Sequence, residues 1–255
     1  MEVPNEVKKL IKNYFNLKIA NKSIKTPYYI NEKHGRRGGL RSLVGKGTPT
    51  EIEEEVKIFA KLRSFCLEEA NEEEIREFMK EEGIGVECSG FVSNILDKWL
   101  KCTKQGSLYS NIKFENKNIF DAIIKYIRPV QNISADLLTN KNNTIPVELK
   151  DVQAGDLIRF KGLKTGHHIA IITEVKKKSK GKMVKYLHST AHYEKDNGVK
   201  KGEILVKDES RDLGEQEWKE VDENNKCWTL KQYQRKKYDN GIRRPKFFNK
   251  KKCKK

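Results

Sequence analysis

Cys88 and His168 are the residue types that nucleophilic catalysis on a carbonyl needs: a thiol, and a downstream imidazole to take its proton. Cys88 lies in Glu87-Cys88-Ser89-Gly90-Phe91-Val92, just after the Gly83-Ile84-Gly85 turn and at the start of a helical pattern. A helix N-terminus and a neighbouring imidazolium both favour the thiolate. The N–H groups of Cys88 and the next residue are expected to point outward there, where they would help hold an oxyanion. Ser89 and Gly90 are small and leave room for a substrate. The alternative is a buried helix cysteine acting as a small hydrophobe. Cys66, Cys102, Cys227 and Cys253 are read that way.

His167 and His168 open the apolar run Ile169-Ala170-Ile171-Ile172. Side chains alternate along a strand, so only one of the pair can face a given side. If His168 faces the Cys88 helix end, it is the general base; otherwise the pair is a solvated strand start. His188, in Tyr186-Leu187-His188-Ser189, lies on the next expected strand. Pairing across a turn at 179–182 would set it beside His168, where it could orient the ring. His192 is a rival for that place. Gly45-Lys46-Gly47-Thr48 invites a phosphate-loop reading, but GxxxxGK[ST] is not met and a helix cap accounts for it better.

The elements that must position these groups follow from periodicity. Val7, Leu10, Ile11, Tyr14 and Phe15 predict an amphipathic helix over 5–17. Residues 22–47 are turn-rich and basic. Thr48 as N-cap, Pro49 at the first position and Glu51 closing a capping box start a helix running to about Leu67, with Ile52, Val56, Phe59, Ala60 and Leu62 buried. An acidic helix follows, capped by Asn71 and stopped by Gly83. Cys88 to about Leu100 is the next, with Phe91, Val92, Ile95, Leu96 and Trp99 apolar, and another is expected over 118–127. After Pro146 the period becomes that of strands: 157–160, 169–175, 184–189 and a weaker 204–206. Helices first and an antiparallel sheet second is an α+β pattern. Residues 207–230 are polar and carry no readable period.

The 255 residues fit one elaborated domain or one domain plus extensions. The 35% charged residues and mean hydropathy of -0.79 imply much solvated surface. A net charge of +17 favours polyanions such as nucleic acid, anionic lipid or wall polymer. From 231 to 255 there are 12 Lys/Arg against one Asp, so this end reads as a mobile basic tail. Its interleaved Tyr233, Tyr238, Phe247 and Phe248 suggest a polyanion-binding module as an alternative function. The five cysteines are odd in number and form no CxxC, so neither a disulfide framework nor a zinc site is suggested. No stretch approaches 18 apolar residues, and the first residues carry no secretory signal, which places the chain in the cytoplasm by sequence.

Glu87-Cys88-Ser89-Gly90-Phe91-Val92 resembles the Asp-Cys-Ser-Gly-Phe-Val signature of NlpC-type cysteine peptidases. Val152-Gln153-Ala154-Gly155-Asp156-Leu157 resembles their "pro-Gly-Asp-Leu" strand and His168-Ile169-Ala170-Ile171 their "His-Val-Gly-Ile" strand. Tyr186-Leu187-His188-Ser189 is similar to the strand bearing the third polar catalytic residue. The resemblance covers roughly 83–190. It implies a papain-like fold, no cofactor, and a triad of Cys88 as nucleophile, His168 as base and His188 as orienting residue. The implied activity is hydrolysis of peptide or amide bonds in peptidoglycan stem peptides; acyl transfer on the same scaffold is a third possibility. A peptidoglycan substrate would require wall association or export by a non-standard route. The implied organisation is an N-terminal helical region and insertion over 1–82, a catalytic core over 83–206 and a polar, basic extension over 207–255. The family also carries a Pro-Tyr shortly before the cysteine; Pro27-Tyr28 resembles it, with a helical insertion looped out between. Tyr28, Glu87 and Ser89 are thus the expected substrate-side residues, and Glu87 replaces the usual Asp.

Overall fold

The computed structural model describes residues 1–29, 41–114, 130, 132–161, 167–179, 181–193, 196–234 and 239–249. The helix expected over 118–127 lies outside the described residues, as do Tyr238 and Cys253.

Helix α1 (Asn5–Phe15) buries Val7 and Tyr14 and stops two residues earlier than its periodicity suggested. Leu17 instead opens β1 (Leu17–Ile19), paired antiparallel with β2 (Lys22–Ile24). The turn places Ala20 and Asn21 at φ 44 and 62. Such two-residue turns ordinarily advertise themselves with glycine, and this one contains none, so the hairpin left no sequence signal.

Helix α2 (Pro49–Leu62) begins with the expected capping box between Thr48 and Glu51. It ends at Leu62 rather than Leu67, because Ser64 turns left-handed at φ 54. Leu62 is 69% exposed, not part of the buried face, whereas Ile52, Val56, Phe59 and Ala60 are buried as expected. Helix α3 (Glu72–Glu81) has the Asn71 cap, and Gly83 at φ 66 closes it through its N–H to Lys80 O.

Helix α4 (Cys88–Cys102) is the central helix, with Phe91, Val92, Ile95, Leu96 and Trp99 fully buried. Two short helices follow, α5 (Leu108–Asn111) and α6 (Ala135–Thr139). The strands are β3 (Thr144–Val147), β4 (Leu157–Phe160), β5 (His168–Lys177), β6 (Lys182–Thr190), β7 (Gly198–Val206), β8 (Glu217–Trp218) and β9 (Gly241–Pro245), with α7 (Trp228–Tyr233) before β9. They form a seven-stranded sheet in the order β3-β9-β4-β5-β6-β7-β8, antiparallel at every pairing. The α+β class therefore holds, and the turn between β5 and β6 falls where the hairpin was expected.

Two expectations fail here. β7 spans nine residues rather than 204–206, because its first half alternates too weakly in hydropathy to read as a strand. The mobile basic tail is not found over 239–249: β9 lies between β3 and β4. Arg244 makes a two-pronged ion pair with Asp156, itself 1% exposed, and Arg243 pairs with Asp239. Pairing inside the sheet and with carboxylates offsets the cost of ordering a basic segment. Tyr233 and Phe247 are buried and Phe248 packs on Trp99, so these three aromatics serve the core rather than a polyanion platform.

The sheet separates two apolar clusters, as strand alternation dictates. Leu157, Ile169, Ile171, Leu187 and Val199 pack with α1 and α4. Ile158, Phe160, Ala170, Ile172, Val184, Tyr186 and Ile204 face the other way and are covered by Leu213, Trp218 and Tyr233. Residues 207–230, unreadable from the sequence, thus form the lid of the second core.

Candidate active site

Cys88 is the first residue of α4, with Glu87 as the N-cap. The first helical bond there runs from Phe91 N–H to Glu87 O, so the earlier N–H groups of the helix have no carbonyl within it. The fit behind the cysteine is tight. A Cβ on Gly90 would lie 2.2 Å from Gly45 O, a backbone overlap that no rotamer relieves. The small residue after Cys-Ser therefore lets the first turn of α4 lie against the 45–47 turn. Asn94 fastens the same contact with bonds to Lys46 O and Gly47 O.

Glu87 and Ser89 belong to a buried ionic cluster. Lys46, 3% exposed, pairs with Glu87, bonds Ser89 Oγ and donates to Ile133 O at 2.6 Å. Ser89 Oγ also lies 2.7 Å from Glu87 Oε1 and 3.1 Å from Ile133 O. Ser89 is 2% exposed and turned inward, so the room for substrate expected beside it is filled by Lys46. Glu87 keeps 30% of its side chain exposed.

Tyr28 reaches the thiol across the chain. A parallel bridge sets Tyr28 against Val86, with Val86 N–H donating to Pro27 O and Tyr29 N–H to Val86 O. Burial first, then the nearby Cys88 and Glu87, hold the pKa of its hydroxyl far above the ordinary phenol value. Helices α2 and α3 lie in the stretch looped out between them.

The sulfur contacts the opening of β5. Cys88 Sγ lies 3.9 Å from His167 O and accepts from Ile169 N–H. These are the backbone groups on either side of His168. Ile169 pairs with Arg159 of β4 on one side, while the β5–β6 register starts only at Ile171↔Leu187, so α4 meets β5 before β6 joins it. The His168 ring shares the face of Phe160, Tyr186 and His188, with Phe160 5.0 Å away between centroids.

His168 and His188 come together: Nε2 of the first lies 2.8 Å from Nδ1 of the second. His192, the rival, is exposed and stacks on Trp228. His188 Nε2 in turn lies 3.0 Å from Glu220 Oε1, and the Tyr186 hydroxyl donates to Glu220 Oε2 at 2.5 Å. The row Tyr186–Glu220–His188–His168 is buried throughout. Glu220 escaped the sequence reading. It follows β8, and Gln216, Trp218 and Glu220 alternate inward with period two. That alternation carries two polar residues in three and so has no hydropathy signature.

The charge states run opposite to the expected thiolate–imidazolium pair. Burial first, then the Glu87 carboxylate, push the Cys88 thiol up to about 12, against weaker help from Lys46 and the N–H groups of Ile169 and Ser89. Burial, with His188 and His192 adding to it, holds His168 well below its ordinary value. The helix N-terminus favours the thiolate but is outweighed by desolvation. Cys88 is therefore held as a neutral thiol and His168 as a neutral imidazole. Among the described residues no group of His, Cys, Asp and Glu has the arrangement of a metal site, and no helix is long and apolar enough to cross a membrane.

Comparison with known protein families, with curated proteins and with solved structures found no match to this chain.

Proposed function

We propose that the chain is a cysteine hydrolase of the NlpC type on a papain-like fold, which cleaves amide bonds through Cys88 and His168. The observation that supports it most is the thiol's place. It starts a helix, lies near the Tyr28 hydroxyl and touches the backbone on both sides of a histidine whose Nε2 is engaged by a second histidine.

In this reading Sγ attacks the amide carbonyl carbon as His168 Nδ1, the ring nitrogen not engaged by His188, takes the thiol proton. The carbonyl oxygen becomes an oxyanion, accepting from a backbone N–H at the α4 start and from the Tyr28 hydroxyl. The intermediate collapses to a thioester, and the leaving amine departs with the proton from His168. A water then gives a proton to His168 and attacks the thioester carbon, which releases the acid and restores the thiol. Stem peptides of peptidoglycan are the substrate class suggested by the Cys-Ser-Gly-Phe-Val stretch.

The test is hydrolysis of a stem tetrapeptide by the parent chain and by Cys88→Ala, with unfolding followed by circular dichroism. Expected is loss of about 10³-fold or more in rate with the fold intact. Full activity in the variant would overturn the reading. Burial of Cys88, which leaves it 5% exposed, favours a second one: a scaffold without catalysis that binds polyanions through its positive charge. That would show as salt-sensitive oligonucleotide binding indifferent to Cys88→Ala. Trapping the acyl group with added amine in place of water would identify acyl transfer.

A further inference from the structure

We infer that Glu220 is a positioning residue of this site, whose carboxylate fixes the ring tautomers of His188 and, through it, of His168. The inference rests on the hydrolase reading for its functional meaning, but the geometry that carries it does not.

The argument is one of donors and acceptors. Both oxygens of Glu220 are engaged, Oε2 by the Tyr186 hydroxyl at 2.5 Å and Oε1 by His188 Nε2 at 3.0 Å. A carboxylate only accepts, so His188 carries its proton on Nε2. In a neutral ring that leaves Nδ1 as an acceptor. The atom facing it at 2.8 Å is His168 Nε2, which must then be the donor. A neutral His168 protonated on Nε2 has a bare Nδ1, the only form in which it can take a proton there. One buried carboxylate thus sets a base two rings away.

The surroundings are built for an ionised Glu220. Burial alone would raise its carboxyl, but the hydrogen bonds it accepts from His188 Nε2 and the Tyr186 hydroxyl work to hold it below the ordinary value. Tyr186 is kept in place by its cross-strand partner: it pairs with Gly202, where a Cβ would lie 2.1 Å from the ring. Glycine there lets the phenol lie over β7 and reach Glu220. The carboxylate arrives by extension of β8, as Lys219 N–H donates to Glu203 O at 2.9 Å.

The tautomers are read by long-range ¹H–¹⁵N correlation of the histidine rings in the full chain at neutral pH. The parent is expected to show both His168 and His188 neutral with Nε2–H. A doubly protonated His188, or His168 protonated on Nδ1, would overturn the inference without any variant. In Glu220→Gln, the amide can donate to His188 Nε2, and the Nδ1–H form should appear in both rings. Hydrolysis of the stem tetrapeptide should then fall roughly 10²-fold in kcat with KM unchanged, the low end of what a positioned base supplies. Glu220→Asp retains the charge and should restore the parent tautomers and activity to within about 10-fold. Unchanged tautomers in a folded Glu220→Gln would overturn the inference while Cys88-dependent hydrolysis left the proposed function standing. Absence of hydrolysis in the parent would remove the function and leave the tautomer result to decide the role of Glu220.

Discussion

Two buried polar networks lie on the two elements that meet at Cys88, the start of α4 and β5, and they are built on different principles. On the helix side Lys46 meets Glu87, Ser89 Oγ and Ile133 O. On the sheet side Tyr186, Glu220, His188 and His168 stand in a row. The first is closed in charge: one cation, one carboxylate, and acceptors for the ammonium protons. A buried ion pair of this kind costs dearly when one partner is removed. The second is linked through imidazoles, whose protons can be held on either nitrogen, so its members can move a proton as well as hold one. Burial of polar groups around a candidate nucleophile thus need not serve one purpose. One network holds the start of α4 in place, and the other, on the reading proposed above, sets the state of the base.

The largest separation of the two should come from His168→Ala. Hydrolysis is expected to fall by roughly 10²–10⁴-fold, with about 1–3 kcal/mol lost in urea unfolding because His188 Nδ1 is left without its buried partner. A large loss of stability with activity retained would reverse the assignment of roles. Lys46→Met should do the opposite. It strands Glu87, and urea unfolding should show a loss of about 3 kcal/mol, the low end for a buried pair because Glu87 remains 30% exposed. The histidine tautomers should be untouched.

Gly90→Ala sharpens the helix side further. Its Cβ meets Gly45 O at 2.2 Å, so α4 and the 45–47 turn must separate, at a cost of about 1–3 kcal/mol in chemical unfolding. An unchanged midpoint would mean the contact is looser than it stands here. The smallest effect is on stability with pH. The depressed pKa of His168 means the unfolded chain binds more protons once pH drops below about 6.5, so stability falls on acidification. The raised pKa of Cys88 means the folded chain keeps a proton that the unfolded chain loses above about 8.5, so stability also falls on the alkaline side. A plateau between these limits is expected in thermal unfolding, and Cys88→Ala should weaken its alkaline edge without moving the acid one, the rest of the alkaline loss coming from Cys227 and the buried tyrosines, whose pKa values are raised by burial. Iodoacetamide should alkylate Cys88 slowly at pH 7, with a rate still rising above pH 9; fast alkylation below pH 7 would contradict a neutral thiol.

Much of the site was legible because it is written locally. The Thr48 and Asn71 caps, the α4 start at Cys88 and the β5–β6 hairpin that aligns His168 with His188 each depend on a few adjacent residues. Tyr28 was legible through its likeness to a family motif, and only the Tyr28↔Val86 bridge explains how it reaches the thiol. Glu220, β9 and the β1–β2 hairpin were not legible. Glu220 sits in a polar run, β9 in what composition marks as a tail, and the hairpin turn lacks glycine.

Where the helices begin, which residue types could do chemistry, and the α+β class could all be read along the chain, since capping and periodicity are settled within a turn or two of backbone. Tertiary structure alone decided the charge states and the partners. Cys88 is a neutral thiol because α4 buries it beside Glu87, and Glu220 stands behind His188 because β8 pairs with β7. Desolvation and long-range pairing depend on which distant segments meet, and the order of residues along the chain does not carry that information.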